Sequence, residues 1–514
     1  MASSSILRRP PAWALAAVGA AVCLLADVPT ADIAAQEYRA QLFSHAGFTL
    51  WDNGWYAGHH TPAYSVLFPP LGAALGVRAA GALAAIAATA LFARLARKRW
   101  GAGAAYAATL WFAVAALASV VSGRTTFTLG LAIGLGALLA LAHGRSALAA
   151  ALAALTSLAS PVAGLFIVIA VAGWAVAARG RRNRGCLLAA AAVAPAVTLS
   201  LLFPEGGSEP FVASAFWPAL AATALFAAAL PSGERELRVG AGFYACACIG
   251  AFALSNPLGG NVSRLGALFA GPLILGALGG RRAAPVLAAI ALPLAYWSLY
   301  PALHDVVRAS GDPSTARAYH EPLLRFLHSR RGAFRVEIPF TENHWEARHV
   351  AAEIPLARGW ERQLDRRENA LFYDGALDAA RYRAWLRARA VRYVALPDVA
   401  LDHAGRDEAR LVEGGLPYLR AVWRNEHWRV FAVAQPAPLA QGAATAIQLS
   451  PDGFQITAAR PGEALVRVRH TRWWTVTAGD ACVQRAADGM TLVRVRRPGR
   501  ISVQARLSGR ACRR

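Results

Sequence analysis

Between residues 1 and 204 the chain carries only four carboxylates, Asp27, Asp32, Glu37 and Asp52, and all four fall between the first and second apolar runs. The surrounding sequence is largely Ala, Leu, Val, Gly and Phe, a background in which an acid costs about 2.5 to 3.5 kcal/mol at mid-bilayer on insertion scales. Any chemistry in the membrane part is therefore to be sought in that one acidic stretch. Hydrophobic residues make up 56% of the 514 and the mean hydropathy is positive. The first 300 residues are too apolar for an ordinary soluble domain, and the remainder is too polar to stay in a bilayer. The pattern predicts a polytopic α-helical membrane domain over 1–302 and a soluble tail.

The net charge of +23 raises the question of a nucleic-acid partner. The cations are almost all arginine, with Lys98 the only lysine, and they are scattered through short loops and the tail. No phosphate loop, finger spacing or basic helix accompanies them, so the reading is no nucleic acid. Arg8 and Arg9 precede an apolar run at 12–26 that resembles a secretory signal, but the many later spans favour an uncleaved first helix with a cytoplasmic amino end. Cationic clusters at 94–99, 143–145, 179–184, 235–238 and 281–282 then mark the cytoplasmic side. About eleven spans fit between them, and an odd number sends the tail outside. Ser160-Pro161 breaks what would otherwise be one long helix over 146–178. The run 64–76, with Pro69-Pro70 inside it, is too short and broken to cross and is expected to dip in from the outer face.

Beyond residue 303 charges recur every few positions. Residues 303–435 alternate helical and strand patterns, with helices over 316–329 and 377–389 and strands over 334–338 and 391–396, which predicts an α/β domain. After Pro436 and Pro438 the pattern has period two, in runs at 446–449, 453–457, 464–469, 473–477, 490–496 and 501–507. That predicts a small C-terminal β-sandwich over 436–514. Cys482 and Cys512 both lie there, and an exported compartment permits a disulfide between them. Cys23, Cys186, Cys246 and Cys248 fall in membrane helices and read as packing.

The first outer loop reads Asp32-Ile-Ala-Ala-Gln-Glu37-Tyr-Arg39, runs on to Gly47, then gives Trp51-Asp52-Asn53-Gly54-Trp55-Tyr56-Ala57-Gly58-His59-His60 before Tyr64 and Pro69-Pro70. These residues resemble the GT-C superfamily of integral-membrane glycosyltransferases. Members carry an acid soon after the first membrane helix, an amphipathic stretch ending near a Gly, a Trp-containing segment and a Tyr/Pro re-entry. The resemblance covers the layout of the first 300 residues, but only some forty loop residues carry the pattern. Many relatives have two adjacent acids where this chain has Asp32 followed by Ile33. Asp32 and Glu37 thus both stand as catalytic candidates.

Sugar transfer from a lipid phosphate needs a base near the acceptor hydroxyl and a cation near the departing phosphate. A carboxylate at the bilayer edge is partly desolvated, which moves it toward a useful range for base catalysis. Asp32 is also placed to cap a loop helix over 33–44, and the two roles are compatible. Arg124 and Arg264 lie in short outer loops against the usual charge asymmetry. A guanidinium fork suits a phosphate, and an interfacial snorkel to headgroups is the alternative. Arg39, His59, His60, Trp55 and Tyr64 complete the candidate substrate-binding set. His45, His59 and His60 with the loop acids also compose a donor set suited to a divalent metal, without diagnostic spacing.

The resemblance implies a multi-pass plasma-membrane enzyme with its C-terminal domains extracytoplasmic. It would take a sugar from a polyprenyl-phosphate donor to a glycan or lipid acceptor of the cell envelope. A transporter or flippase of envelope lipid or polysaccharide is the alternative, weakened by the scarcity of ionisable residues inside the spans. A non-catalytic membrane scaffold is the third reading.

Overall fold

The computed structural model describes residues 10–279 and 284–507. The chain divides into two compact units. One comprises residues 1–36, 64–202 and 209–307; the other comprises 37–63, 203–208 and 308–514. The loop segment 37–63 therefore belongs with the tail.

The first unit is built from helices α1 (Ala12–Ala26), the start of α2 (Ala31–Ala46), α3 (Phe68–Leu75), α4 (Val77–Trp100), α5 (Ala102–Val121), α6 (Thr125–Ala142), α7 (Ser146–Ala159), α8 (Pro161–Val176), α9 (Arg182–Leu202), α10 (Ala213–Ala229), α11 (Arg235–Ala253), α12 (Arg264–Leu278) and α13 (Ala284–Ala309). Six of the described helical stretches are long and apolar enough to cross a membrane: α4, α5, α6, α9, α11 and Gly259–Leu278. A seventh is counted if α1 and α2, bent by 85°, form one broken span. Helices α7, α8 and α10 are apolar but shorter; the 14 residues of α7 rise only about 21 Å, against a hydrocarbon core of about 30 Å. The count of eleven expected from hydropathy thus includes helices that do not cross by length alone.

Small residues set the packing. Ala85, Ala88, Ala108 and Ala116 are fully buried, which lets α4 and α5 approach closely, and Phe92 stacks on Phe112 at 4.4 Å between ring centroids. Large apolar side chains such as Leu201 and Leu292 instead point outward, 70% and 77% exposed. Exposing large aliphatic side chains on the outside of apolar helices fits a lipid solvent, and the chain is a membrane protein. At the break after Ala159, the Ser160 side chain accepts the Ala163 N–H and Pro161 opens α8.

The second unit contains two β-rich parts. In the α/β part, strands β1 (Arg335–Glu337), β2 (Val391–Pro397), β3 (Leu419–Arg424) and β4 (Trp428–Val433) form one sheet in the order β1-β2-β4-β3, with β1 and β2 parallel and the other pairs antiparallel. Helices α14 (Arg317–His328), α15 (Glu346–His349), α16 (Arg362–Glu368), α17 (Ala379–Ala388) and α18 (His403–Glu413) accompany it. The Asp378 carboxylate caps α17 by accepting the Arg381 N–H at 2.8 Å.

The C-terminal part holds eight strands: β5 (Ala440–Gly442), β6 (Ala444–Ser450), β7 (Gly453–Ala458), β8 (Gly462–Arg469), β9 (Trp474–Ala478), β10 (Ala481–Arg485), β11 (Met490–Val495) and β12 (Gly499–Ala505). They form two antiparallel sheets ordered β10-β11-β8-β5 and β6-β7-β12-β9. Alternate residues such as Val466, Val468, Ile501 and Val503 are fully buried, the mark of a one-sided strand. Cys482 is disulfide-bonded; Cys512, its expected partner, lies outside the described residues. Cys23, Cys186, Cys246 and Cys248 are free thiols.

A charged cluster lies inside the α/β part. Arg358, 1% exposed, sits 3.9 Å from the Phe340 ring centroid and 4.0 Å from that of Phe372. It reaches Asp365 at 2.6 Å and Glu408 at 3.2 Å. Glu337 faces Glu408, and both carboxyls are pushed up. For Glu337 the causes are burial and then the Glu408 charge; for Glu408 burial outweighs the pull of Arg358. A carboxyl whose folded value is raised contributes stability that is complete below its unfolded value and is lost as pH rises through the folded one. The buried histidines His59, His320 and His349 are shifted the opposite way, so they act only below about pH 6.5. Above that point the remaining loss from Glu408, up to its folded value of about 7, is no longer offset by these histidines, and stability is expected to fall there as pH rises. Glu337→Gln should flatten this alkaline decline; an unchanged slope in urea unfolding midpoints would remove the pair as its cause.

Candidate active site

The loop Ser122-Gly123-Arg124 joins α5 to α6 and is pressed onto the start of α2. Gly123 adopts φ +81°, and a Cβ there would lie 2.5 Å from the Ile33 nitrogen and 2.8 Å from Asp32 Cβ. Only glycine fits both the conformation and the contact. Thr30 Oγ1 donates to the Val121 carbonyl at 2.8 Å, tying the same two segments from the other side. Helix α2 begins at Ala31, so Asp32 sits within its first turn rather than before it, where the helix dipole favours a carboxylate.

Around this junction the first unit gathers four charges. Arg124 Nε is 4.0 Å from Asp32 Oδ2, and its Nη2 is 3.8 Å from Asp305 Oδ2 near the end of α13. Arg264 opens α12, with its guanidinium 5.5 Å from the Phe127 ring centroid. It lies within Coulombic range of Arg124, Asp32, Tyr64 and Asp305. The Gln36 amide donates to the Tyr64 hydroxyl at 3.1 Å. Asp32, Arg124, Arg264 and Tyr64, spread over more than 230 positions of sequence, are thus neighbours.

The cluster is loosely closed. Charge-assisted bonds contract to about 2.7–2.9 Å, whereas Arg124 spans its two carboxylates at 3.8–4.0 Å. Among the described residues its Nε, the Ser122 hydroxyl and the Thr125 hydroxyl are all buried without a hydrogen-bond partner. A small cavity of about 20 Å³ is lined by Arg124, Arg264, Ser119, Ser122 and Ser298. Buried donors left unsatisfied at one place are costly unless something visits them.

The remaining candidates lie in the second unit, in the segment 37–63. Glu37 is 3.6 Å from Arg348 Nε. Arg39 is buried and pairs with Glu361 at 2.5 Å. Trp55 is fully buried, stacked on Tyr38 at 4.4 Å and on His59 at 5.4 Å, and donates to the Ala347 carbonyl at 3.1 Å. His59 is 3.7 Å from Asp52; burial lowers His59 to about 3 and raises Asp52 to about 6. His60 bonds Glu205 at 2.6 Å and Thr471 at 2.9 Å. Burial alone would raise Glu205, but its bond to His60 and the charge of Arg469 bring it down to about 2. The Asn53 amide donates to the carbonyls of Ser450 and Gly453, and Arg469 N–H donates to the Ala57 carbonyl at 2.8 Å. Arg39, Asn53, Trp55 and His60 thus tie this segment to the tail. Among the described residues no three His, Cys, Asp or Glu side chains are grouped as a metal ion would need.

Asp305 was not anticipated from the sequence. Its signal is an acid in the last turns of an apolar helix, but it stands where the composition has already turned charged. Gly123 was likewise unremarked. Gly123→Ala is expected to lower any activity of this site about a hundredfold by displacing Asp32, since misplacement of about 1 Å carries that cost. Wild-type turnover in membranes holding an equal amount of the variant would contradict the assignment.

No family model matches the chain, and no curated protein matches it. Among solved structures it is similar to ArnT from Cupriavidus metallidurans bound to undecaprenyl phosphate, at 14% identity and a TM-score of 0.41, covering 83% of this chain and 98% of that one. It is also similar to the Archaeoglobus fulgidus oligosaccharyltransferase in its apo form, at 12% identity and a TM-score of 0.46, covering 75% and 69%. The archaeal oligosaccharyltransferase AglB from the same organism, in complex with an inhibitory peptide and a dolichol-phosphate, matches at 12% identity and a TM-score of 0.42 over the same shares.

Proposed function

We propose that the chain is a membrane glycosyltransferase acting on the extracytoplasmic side, moving a sugar from a polyprenyl-phosphate donor to a glycan or lipid acceptor of the cell envelope. The observation that carries the reading is the meeting of Asp32 with Arg124 and Arg264 beside buried, unsatisfied donors. The loop's resemblance to the GT-C superfamily supplies the reaction class.

In the proposed step Asp32 accepts the proton of the acceptor hydroxyl, whose oxygen forms a bond to the anomeric carbon. The bond from that carbon to the phosphate oxygen breaks, and the lipid phosphate leaves with the electron pair. Arg124 and Arg264 face the growing charge on that oxygen. Once Asp32 is protonated, the site holds two guanidiniums against Asp305 alone, so its positive balance appears as the phosphate departs. Asp305 is proposed to hold Arg124 in place rather than to touch substrate. Tyr64 is proposed as a further contact to the donor phosphate or sugar. Arg39, Trp55, His59 and His60 are proposed to act by fixing the loop, with Glu37 as the alternative base and a divalent metal as a further component.

The test is transfer of labelled sugar from polyprenyl-phosphate donors into lipid-extractable or glycan material by membranes containing the protein. Product that depends on the chain and on Asp32 is expected. Movement of labelled lipid across liposomes with no glycosidic bond formed would replace this reading with transport.

A further inference from the structure

A large cavity in the first unit lies away from the cluster just described. It is about 740 Å³ and is walled by α4, α6, α8, α11 and α12 with mostly aliphatic and aromatic side chains, among them Leu135, Phe166 and Phe269. On α6 its lining runs from Gly130 to Ala142, about 18 Å of helix. That exceeds the roughly 15 Å half-thickness of a bilayer core. The cavity is therefore deep enough for a chain entering from one leaflet.

One end of this shaft is collared by charge. Lys98, Arg99, Arg181 and Arg184 line it together with a single acid, Glu236. Arg99 and Arg181 are paired with that acid, and Arg99 also with Glu234 at 2.7 Å. Lys98 donates to the Ala142 carbonyl. Among the described residues neither Lys98 nor Arg184 has a carboxylate partner, so the collar keeps an unmatched positive charge. The opposite end, near Leu265 and Ala163, carries no charged lining residue. A cationic mouth over an apolar shaft of this depth is complementary to one class of molecule, a lipid with an anionic head.

We propose that the shaft binds an anionic phospholipid of the leaflet at the arginine-rich end, with an acyl chain between α6, α8 and α11 and its phosphate at Lys98 and Arg184. The positive-inside rule makes that the cytoplasmic leaflet, where anionic lipid meets basic residues. The site is separate from the proposed transfer site and stands or falls independently of it.

Gly240 supplies a test of the shaft. It lines the cavity, and a Cβ there would meet nothing within 4 Å, so Gly240→Leu fills the shaft without a clash at its own position. Lys98→Gln with Arg184→Gln tests the mouth at exposed positions. Full-length protein is delipidated in detergent and titrated with phosphatidylglycerol, phosphatidylcholine or polyprenyl phosphate, and bound lipid is counted by native mass spectrometry. One phosphatidylglycerol should bind in preference to phosphatidylcholine. Binding should weaken about twenty-fivefold in the double variant, at about fivefold for each charge removed, and should be lost in Gly240→Leu. Equal retention of both phospholipids, binding unchanged in both variants, or displacement of phosphatidylglycerol by equimolar polyprenyl phosphate would each overturn the proposal.

Discussion

Replacing Asp32 by Asn is expected to lower sugar transfer by about 10² to 10⁴, the range supplied by a positioned general base. The amide is close in size to the carboxylate and sits in the first turn of α2, so helix and insertion should be preserved. What is lost is the ability to accept the acceptor's proton and one of the two negative charges around Arg124. Transfer measured in membranes at matched protein levels is the readout. Loss in Asp32→Asn together with near-normal activity in Glu37→Gln assigns the base to Asp32, and the reverse pattern moves it to Glu37. Activity retained in both would remove the loop acids from the chemistry.

The largest expected effect on stability is at Arg358. Its guanidinium is enclosed by Phe340 and Phe372 and neutralises Asp365 and Glu408, all of them nearly or fully inaccessible to water. Arg358→Met would leave two buried carboxylates beside Glu337 with no cation. Breaking a buried pair by removing one partner costs about 3 to 5 kcal/mol. At about 2–4 °C per kcal/mol for a unit of this size, the second unit should melt roughly 10 °C lower. The triple variant Arg358→Met, Asp365→Asn, Glu408→Gln should recover part of that loss, because no charge is then left unpaired. A single variant that melts within 2 °C of the parent would show that the cluster is not holding the α/β part together.

The membrane architecture was legible because bilayers punish charge. The break at Ser160-Pro161 and the short α3 after Tyr64 follow directly from proline chemistry and length. Asp32 stood out as a candidate because it falls in the one acidic stretch of the first 204 residues, and Arg124 and Arg264 because each is a lone charge in a short loop between apolar helices. Asp305 did not stand out, since it lies in the last turns of α13, where the sequence has already turned rich in charge and a rare-residue signal has no contrast.

The segment 37–63 shows a second limit. Read alone, its Trp, His and Arg residues suggest an exposed binding loop. In the structure Asn53 bonds to the backbone of residues 450 and 453, and His60 meets Thr471. Partners some 400 positions away leave no local trace in periodicity. Strand β5 was missed because three residues hold too few alternations to register. Among the described residues six helical stretches, or seven with the bent α1–α2 pair, are long and apolar enough to cross, and the shorter apolar helices α7, α8 and α10 make up part of the larger count expected from hydropathy.

The most direct test of the central claim is the affinity of the purified protein for a short-chain polyprenyl phosphate compared with the corresponding polyprenol. If Arg124 and Arg264 receive the departing phosphate, the phosphate form binds tighter, and Arg124→Gln with Arg264→Gln removes most of that preference. Hydrogen bonds to a charged partner at about 1.5–3 kcal/mol each correspond to roughly ten- to hundredfold per arginine. Equal affinity for phosphate and alcohol, or a preference that survives the double substitution, would contradict it.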